Sequence, residues 1–85
     1  MSVTILYFAS LREAVGVERE RVELPAGIGN AGHLRAWLRE RGGAWAQALA
    51  EGRAVRVAVN QTMAGPETPV PPGAEVAFFP PVTGG

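Results

Sequence analysis

The chain contains no cysteine, no lysine and no aspartate. Without cysteine it can form neither a disulfide framework nor a thiolate metal site, and it has no cysteine nucleophile of its own. Its acidic residues are all glutamates and its basic residues are all arginines. Any thiol chemistry in which this chain takes part must therefore be supplied by another protein.

Long apolar runs and an excess of charge of one sign are absent as well. No run approaches the roughly 18 apolar residues that a membrane span needs, and no signal-peptide pattern opens the chain. The net charge is zero, so there is no basic stripe to neutralise a nucleic-acid backbone. We therefore expect a cytoplasmic protein that binds neither membrane nor nucleic acid.

The length and the hydrophobic content of the chain predict one small folded domain. The chain has 85 residues, and 47% of them are hydrophobic. That fraction is sufficient for a single core and too high for a disordered segment. No internal repeat divides the sequence.

Five segments have the alternation and composition of β-strands. In residues 3–8 the alternation has period two, so Phe8 lies on the opposite face from Tyr7. In residues 75–79 it likewise separates Phe79 from Phe78. The remaining strands are predicted at residues 18–24, 55–59 and 62–64, with Asn60-Gln61 as the turn between the last two.

The main helix is predicted over residues 30–41. Asn30 is a suitable N-cap, Gly42 a suitable residue just beyond the C-terminus, and the apolar stripe includes Leu34 and Leu38. Two shorter helical segments are predicted at residues 10–16, capped by Ser10, and 45–49. The element order predicts an α+β domain, a mixed sheet of four to five strands with one main helix across one face. We expect the opening and closing strands side by side at the sheet centre.

The last six residues, 80–85, are predicted to form a tail beyond a domain of residues 1–79. Pro80 and Pro81 fix φ and remove two donors, so the chain leaves the sheet stiff and extended. Gly84 and Gly85 have no side chains and can pass a narrow channel. Loose ends are common at domain termini, so the glycine pair alone is a weak signal. Its position after two prolines predicts a stiff base with a thin, flexible tip that can enter another protein.

The reactive group of such a tail is its terminal carboxylate. With a pKa of about 3.5 it is anionic at neutral pH and a poor electrophile, so it must be activated, usually by adenylation with ATP. The sequence has no glycine-rich phosphate loop and no acidic metal cluster. We expect no metal and no bound cofactor, and ATP to be used in trans by another enzyme. The absence of lysine is typical of GC-rich or thermophilic genomes, and it also leaves only the N-terminal amine for self-acylation.

Residues 76–85, Val-Ala-Phe-Phe-Pro-Pro-Val-Thr-Gly-Gly, resemble the closing segment of the sulfur-carrier small subunits of molybdopterin synthase, a family of ubiquitin-like β-grasp proteins. Segments 7–16, 58–62 and 72–79 are similar to further segments of that family. The long helix matches more in placement than in sequence.

The resemblance implies a cycle of activation and sulfur transfer. An ATP-dependent adenylating enzyme activates Gly85, and a sulfur donor converts it to a thiocarboxylate. The tail, with Val82, Thr83 and Gly84 as its threading segment, then enters the large synthase subunit. There, sulfur passes to cyclic pyranopterin monophosphate in molybdenum cofactor biosynthesis. The resemblance implies catalytic residues on the large subunit, a non-catalytic carrier, and a heterotetramer of two small and two large subunits.

The resemblance also implies a surface for partner docking. It places an apolar patch on the solvent face of the sheet, and the corresponding residues here are Phe8, Met63, Phe79, Pro80 and Pro81. The alternation of the first and last strands independently puts Phe8 and Phe79 opposite the helix-facing residues. Isolated exposed apolar residues are common, so this role is a hypothesis.

Three other functions are compatible with these features. One is a sulfur carrier for thiamin synthesis or tRNA thiolation. Another is a ubiquitin-like modifier that becomes attached to lysines of target proteins. The third is an interaction domain whose tail is incidental, in which case removal of Gly85 would leave its function intact. A thiocarboxylate on the isolated chain indicates a carrier, whereas adducts of higher mass indicate a modifier.

Overall fold

Five strands and three helices form over residues 1–81, the part of the chain that the computed structural model describes. Their order is β1 (Ser2–Tyr7), α1 (Ala9–Val15), β2 (Arg19–Glu23), α2 (Ala31–Arg39), α3 (Gly43–Ala48), β3 (Arg56–Val59), β4 (Thr62–Ala64) and β5 (Glu75–Phe79). Among these residues, no helix has the length and apolar character that crossing a bilayer requires.

The strands form one mixed sheet in the order β2-β1-β5-β3-β4. The central pair, β1 and β5, is parallel, with Ile5 opposite Val76 and Tyr7 opposite Phe78. The other neighbouring pairs are antiparallel. A parallel pair needs a crossover connection, and the helices between β2 and β3 lie within that crossover. The predicted α+β, ubiquitin-like β-grasp arrangement is confirmed, and so is the central pairing of the first and last strands.

One face of the sheet packs against the helices and forms the core. Leu34 and Leu38 of α2 are fully buried, as are Ile5, Val76 and Phe78 of the two central strands. Burial of apolar side chains on this face is the main stabilising contribution in so small a domain. No helix formed within residues 1–81 packs on the opposite face of the sheet, which is called the outer face below.

Helix α2 begins as the sequence predicts. The side chain of Asn30 accepts a 2.8 Å hydrogen bond from the backbone N–H of His33, which satisfies one free donor of the first turn. At its other end, α2 stops at Arg39 rather than at the predicted residue 41, because the final turn tightens. The N–H groups of Arg41 and Gly42 bond three residues back, and Gly42 then turns with φ of 76° into α3.

The predicted Ser10 cap of the first helix is wrong. Helix α1 begins at Ala9, and Phe8 occupies the N-cap position without a side-chain hydrogen bond. The carbonyl oxygen of Phe8 accepts from the N–H groups of Leu11 and Arg12, so the helix starts directly from the end of β1. This abrupt turn leaves no room for a separate capping residue, and it forces Ala9 to a φ of 51°. Gly16 ends the helix in a left-handed conformation, as predicted.

Candidate functional site

The outer face carries a continuous row of apolar residues across four strands. The strand register places Leu6 beside Ala77, Ala77 beside Ala58, and Ala58 beside Met63. Cross-strand neighbours on one face lie about 5 Å apart, so each of these side chains is in contact range of the next one in the row. The two alanines in the middle keep this part of the surface flat. Larger side chains at the ends of the row stand above it.

Phe8 and Phe79 lie side by side where the two central strands end. Tyr7 pairs with Phe78, and one residue further the N–H of Phe8 still donates a 3.1 Å hydrogen bond to the carbonyl oxygen of Phe78. Phe8 is 46% exposed, although phenylalanine is usually buried. Phe79 is half-buried. The predicted placement of both rings opposite the core face is confirmed, whereas their docking role stays a prediction.

Met63 lies at the far edge of the same face. It is 56% exposed, more than any other large hydrophobic residue among residues 1–81. The sequence alone does not show on which face Met63 lies, because the turn at Asn60-Gln61 precedes it. Its pairing with Ala58 places it on the outer face. Since β4 is two strands away from β5, Met63 lies about 10 Å from the strand that leads into the tail. The structure thus brings Phe8 and Phe79 together and leaves Met63 at a distance from them.

The base of the tail continues directly from the central strand. Phe79 is the last residue of β5 and still pairs with Arg56 of β3. Pro80 and Pro81 follow, both half-buried. Because proline has no N–H to donate, the ladder cannot continue through them. The chain therefore leaves the sheet between β1 and β3, beside the two phenylalanines.

The residues predicted to carry the acyl group and to thread into a partner are Gly85, Gly84, Thr83 and Val82. They lie outside the described residues, so these roles stay predictions. Among residues 1–81, no three His, Cys, Asp or Glu side chains are grouped closely enough to hold a metal ion.

Three ionisable groups with displaced pKa values form one network on the helix side of the sheet. The hydroxyl of Tyr7 donates a 2.7 Å hydrogen bond to Glu20 and accepts one of 3.0 Å from the indole N–H of Trp45. Arg41 forms a two-pronged ion pair with the same carboxylate, at 2.8 and 2.9 Å. Its guanidinium also lies over the Trp45 ring, 4.9 Å from the centroid. This network joins β1 and β2 to the α2–α3 corner.

Burial and hydrogen bonding explain the directions of the pKa shifts in this network. Burial is the main cause that raises the pKa of the Tyr7 hydroxyl. Partial burial would raise the pKa of Glu20 too, but hydrogen bonds from Arg41 and Tyr7 outweigh it and lower that pKa below its ordinary value. The network faces the core rather than the outer face. It therefore stabilises the fold, and we assign it no part in the chemistry of the tail.

Three residues of the outer face, Leu6, Ala58 and Ala77, had no predicted role. The period-two alternation places each of them on the outer face of its own strand. Their alignment into one row depends on the cross-strand register. The sequence signal that could have identified them is the occurrence of alanine at outward positions of two interior strands, β5 and β3. Small side chains there leave the surface open for a partner.

The chain was compared with protein families, with curated proteins and with solved structures. A family model described as the ThiS family matches residues 5–85. The chain is 42% identical over 83 residues to the molybdopterin synthase sulfur carrier subunit of Haemophilus influenzae, which covers 98% of this chain and 99% of that protein. Among solved structures, SAMP1 from Haloferax volcanii has a TM-score of 0.75 at 26% identity, with both chains fully covered.

A second solved structure is a complex of two proteins. It is the complex of subunits 1 and 2 of the molybdopterin-converting factor from Helicobacter pylori. The match has a TM-score of 0.65 at 25% identity and covers 100% of both chains.

Proposed function

This chain belongs to the ThiS family, and on that premise we propose that it is the sulfur carrier subunit of a molybdopterin synthase. The observation that carries the proposal is its 42% identity, over 98% of its length, to a sulfur carrier subunit of that enzyme. The matched family region runs to Gly85, so it includes the segment that would hold the sulfur.

The proposed chemistry takes place at the carboxylate of Gly85. An adenylating enzyme joins this carboxylate to the adenylyl group of ATP, and pyrophosphate leaves. A sulfur donor then displaces AMP and leaves a thiocarboxylate. Neither step uses a catalytic side chain of this protein, so its contribution is to present the carboxylate in an accessible and correctly oriented position.

The geometry of the tail base supports this role. Strand β5 is held on both sides, by β1 up to Phe78 and by β3 up to Phe79. Because the tail starts from a central strand, its origin is fixed relative to the outer face, so docking of that face determines where the tail enters the partner. Phe8 and Phe79, next to that origin, are suited to bury apolar surface in the complex.

We infer that the principal partner is the large subunit of molybdopterin synthase. Subunit 1 of the Helicobacter pylori converting factor, to which this chain is similar over its whole length, forms a complex with subunit 2. The proposed assembly contains two small and two large subunits. The adenylating enzyme is a second partner and uses the same outer face, so the carrier binds the two in succession.

Reconstitution with the purified large subunit and cyclic pyranopterin monophosphate tests the proposal. The chain carrying a thiocarboxylate on Gly85 is expected to support molybdopterin formation. A chain lacking Gly85 presents its carboxylate one residue, about 3.5 Å, short of the required position and is expected to be inactive. A chain with Gln61→Gly, altered far from the tail in the turn between β3 and β4, is the matched control and should retain full activity. Equal activity with and without Gly85 would overturn the proposal.

A second function is favoured by the structural likeness to SAMP1, a small archaeal modifier protein. In that case Gly85 would form an amide bond with a lysine of a target protein instead of carrying sulfur. Digestion of proteins from cells that express the tagged chain distinguishes the two. Branched peptides with the residues of the tail on a target lysine would establish modification. A thiocarboxylate on the free chain would establish sulfur carriage.

A further inference from the structure

The outer face is basic at the end from which the tail leaves. Arg19 of β2 pairs with Leu6, and Arg56 of β3 pairs with Phe79. These are the residue pairs nearest to the tail in the β1–β2 pairing and in the β3–β5 pairing, respectively. Leu6 and Phe79 are on the outer face, and directly paired residues share a face, so both arginines are on it as well. Both are exposed.

The opposite end of the same face carries charges of both signs, and the N-terminal amine there is ion-paired with Glu23. Glu75 pairs with Thr4 and Glu23 pairs with Ser2, both on the outer face. Arg21, opposite Thr4, lies two residues from Glu23 on that face, and its positive charge lowers the pKa of Glu23 after the stronger effects of the Ser2 hydroxyl and the N-terminal amine. The charge of Arg21 is therefore offset locally, whereas those of Arg19 and Arg56 are not.

Among the described residues, neither Arg19 nor Arg56 takes part in an ion pair. Within residues 1–81, no carboxylate lies within 4 Å of either guanidinium, whereas Arg39 and Arg41 each form an ion pair. A partner can therefore engage Arg19 and Arg56 without breaking an internal salt bridge.

The two arginines stand on either side of the tail base. Strand β2 lies next to β1, and β3 lies next to β5, so Arg19 and Arg56 are separated by three strand spacings, about 14 Å, across the sheet. The register also offsets them by two residues along the strands. Leu6, Phe8 and Phe79 occupy the surface between them. An apolar centre with a charged rim is the usual composition of a specific protein interface.

We propose that Arg19 and Arg56 are specificity-determining residues of the docking face, which bind carboxylates of Asp or Glu side chains at the mouth of the channel that receives the tail. Guanidinium groups bind carboxylates through two parallel hydrogen bonds, which fixes orientation as well as position. Two such contacts on opposite sides of the tail base align the tail with the channel. This inference rests on the proposed function, because it takes the synthase large subunit as the partner.

Charge reversal tests this inference on the whole purified chain and the purified large subunit. Arg19→Glu and Arg56→Glu are each expected to weaken binding about tenfold at low ionic strength, mainly through slower association. The loss should shrink at high salt, which screens exposed charges. The double variant Arg39→Glu/Arg53→Glu has the same net charge as the double variant Arg19→Glu/Arg56→Glu, but it is altered on α2 and in the loop before β3. Its affinity should therefore change less than about twofold.

Sulfur transfer by the thiocarboxylated variants separates this inference from the proposed function. The Arg19→Glu/Arg56→Glu chain should need a higher concentration for half-maximal rate and reach the same maximal rate as the unaltered chain. Reversing the facing carboxylates of the large subunit to arginine should restore its affinity. Equal weakening in the control double variant, or no weakening in the outer-face variant, would overturn the inference. Failure of the unaltered chain to transfer sulfur would instead overturn the proposed function.

Discussion

The backbone N–H of Phe8 donates a 3.1 Å hydrogen bond to the carbonyl oxygen of Phe78. This bond extends the parallel pairing of β1 and β5 by one residue beyond the end of β1. It holds the exposed ring of Phe8 beside Phe79, where the chain leaves the sheet. An exposed aromatic residue is thus fixed at the tail base by a backbone contact that does not depend on its side chain.

Truncation of Phe8 should therefore reduce partner binding without unfolding the domain. Phe8→Ala is expected to weaken binding to the large subunit about tenfold or more, because it removes an aromatic anchor. Its unfolding free energy should change by less than about 1 kcal/mol, since the side chain is largely exposed. Calorimetric titration and urea denaturation measure the two quantities.

Phe78→Ala is the control for Phe8→Ala, because it removes the same side chain from the core face instead of the outer face. Phe78 is only 1% exposed, and its removal should destabilise the domain by about 3–5 kcal/mol. Comparable stability losses in the two variants would contradict the assignment of Phe8 to the docking surface.

The turn between β3 and β4 contains a residue under backbone strain. Gln61 has a φ of 67°, and Asn60 one of 50°. Glycine at the second position of such a hairpin turn is strongly preferred, so Gln61→Gly should stabilise the domain by about 1 kcal/mol. For a domain of this size that corresponds to a rise in melting temperature of about 4–8 °C.

Asn60→Gly in the same turn should not stabilise the domain. The side-chain oxygen of Asn60 accepts a 2.9 Å hydrogen bond from the backbone N–H of Glu75, at the start of β5. Loss of this bond offsets the relief of backbone strain. A larger rise in melting temperature for Asn60→Gly than for Gln61→Gly would refute this account of the turn.

Gly32 is needed for the close approach of α2 to the loop that follows β4. A Cβ at position 32 would lie 3.0 Å from the carbonyl oxygen of Pro66 and 3.1 Å from its Cβ. Gly32→Ala should therefore destabilise the domain by about 1–2 kcal/mol, although alanine ordinarily favours a helix. Gly29→Ala, which meets no atom within 4 Å, is the control and should be nearly neutral. Helix propensity alone predicts that Gly32→Ala raises the melting temperature, whereas crowding against Pro66 predicts that it lowers it. Thermal denaturation of both variants distinguishes the two.

The ion pair of Glu20 and Arg41 should make the stability of the domain depend on acid pH. Hydrogen bonds from Arg41 and Tyr7 lower the pKa of Glu20 in the folded chain, despite partial burial. The unfolded chain therefore binds the proton more readily, and the stabilisation is present above the ordinary glutamate pKa of 4.5. It is lost as the pH falls from there through the lower folded-state pKa.

Glu20→Gln should accordingly lower stability at neutral pH and flatten its decline below pH of about 4.5. Urea denaturation between neutral and acid pH measures both effects. Glu67→Gln, a change on the exposed surface of the loop after β4, is the control. An unchanged pH profile in Glu20→Gln would show that this pair does not contribute to stability.

Local signals in the sequence predicted the parts of the fold that depend on short-range chemistry. Strands β4 and β5 have the predicted bounds because Asn60-Gln61 and Pro72-Gly73 are strong turn signals. The outward facing of Phe8 and Phe79 follows from period two alone. The start of α1 was not predictable in this way, because the turn at Ala9 depends on hydrogen bonds of Phe8 to the following helix.

Relationships between distant segments needed the structure. The row from Leu6 to Met63 depends on the register of three strand pairs. Arg19 and Arg56 are far apart in sequence, and they lie on either side of the tail base only because β2 and β3 flank the central pair. Nothing in the local sequence around either arginine indicates this placement.

The intact mass of the chain isolated from its native cells tests the central claim most directly. We expect a form whose mass is higher by the exchange of one oxygen for sulfur, with fragmentation placing the sulfur at Gly85. That form should disappear when the adenylating enzyme is deleted. A chain found only with an unmodified carboxylate, or only in amide linkage to target lysines, would contradict its assignment as a sulfur carrier.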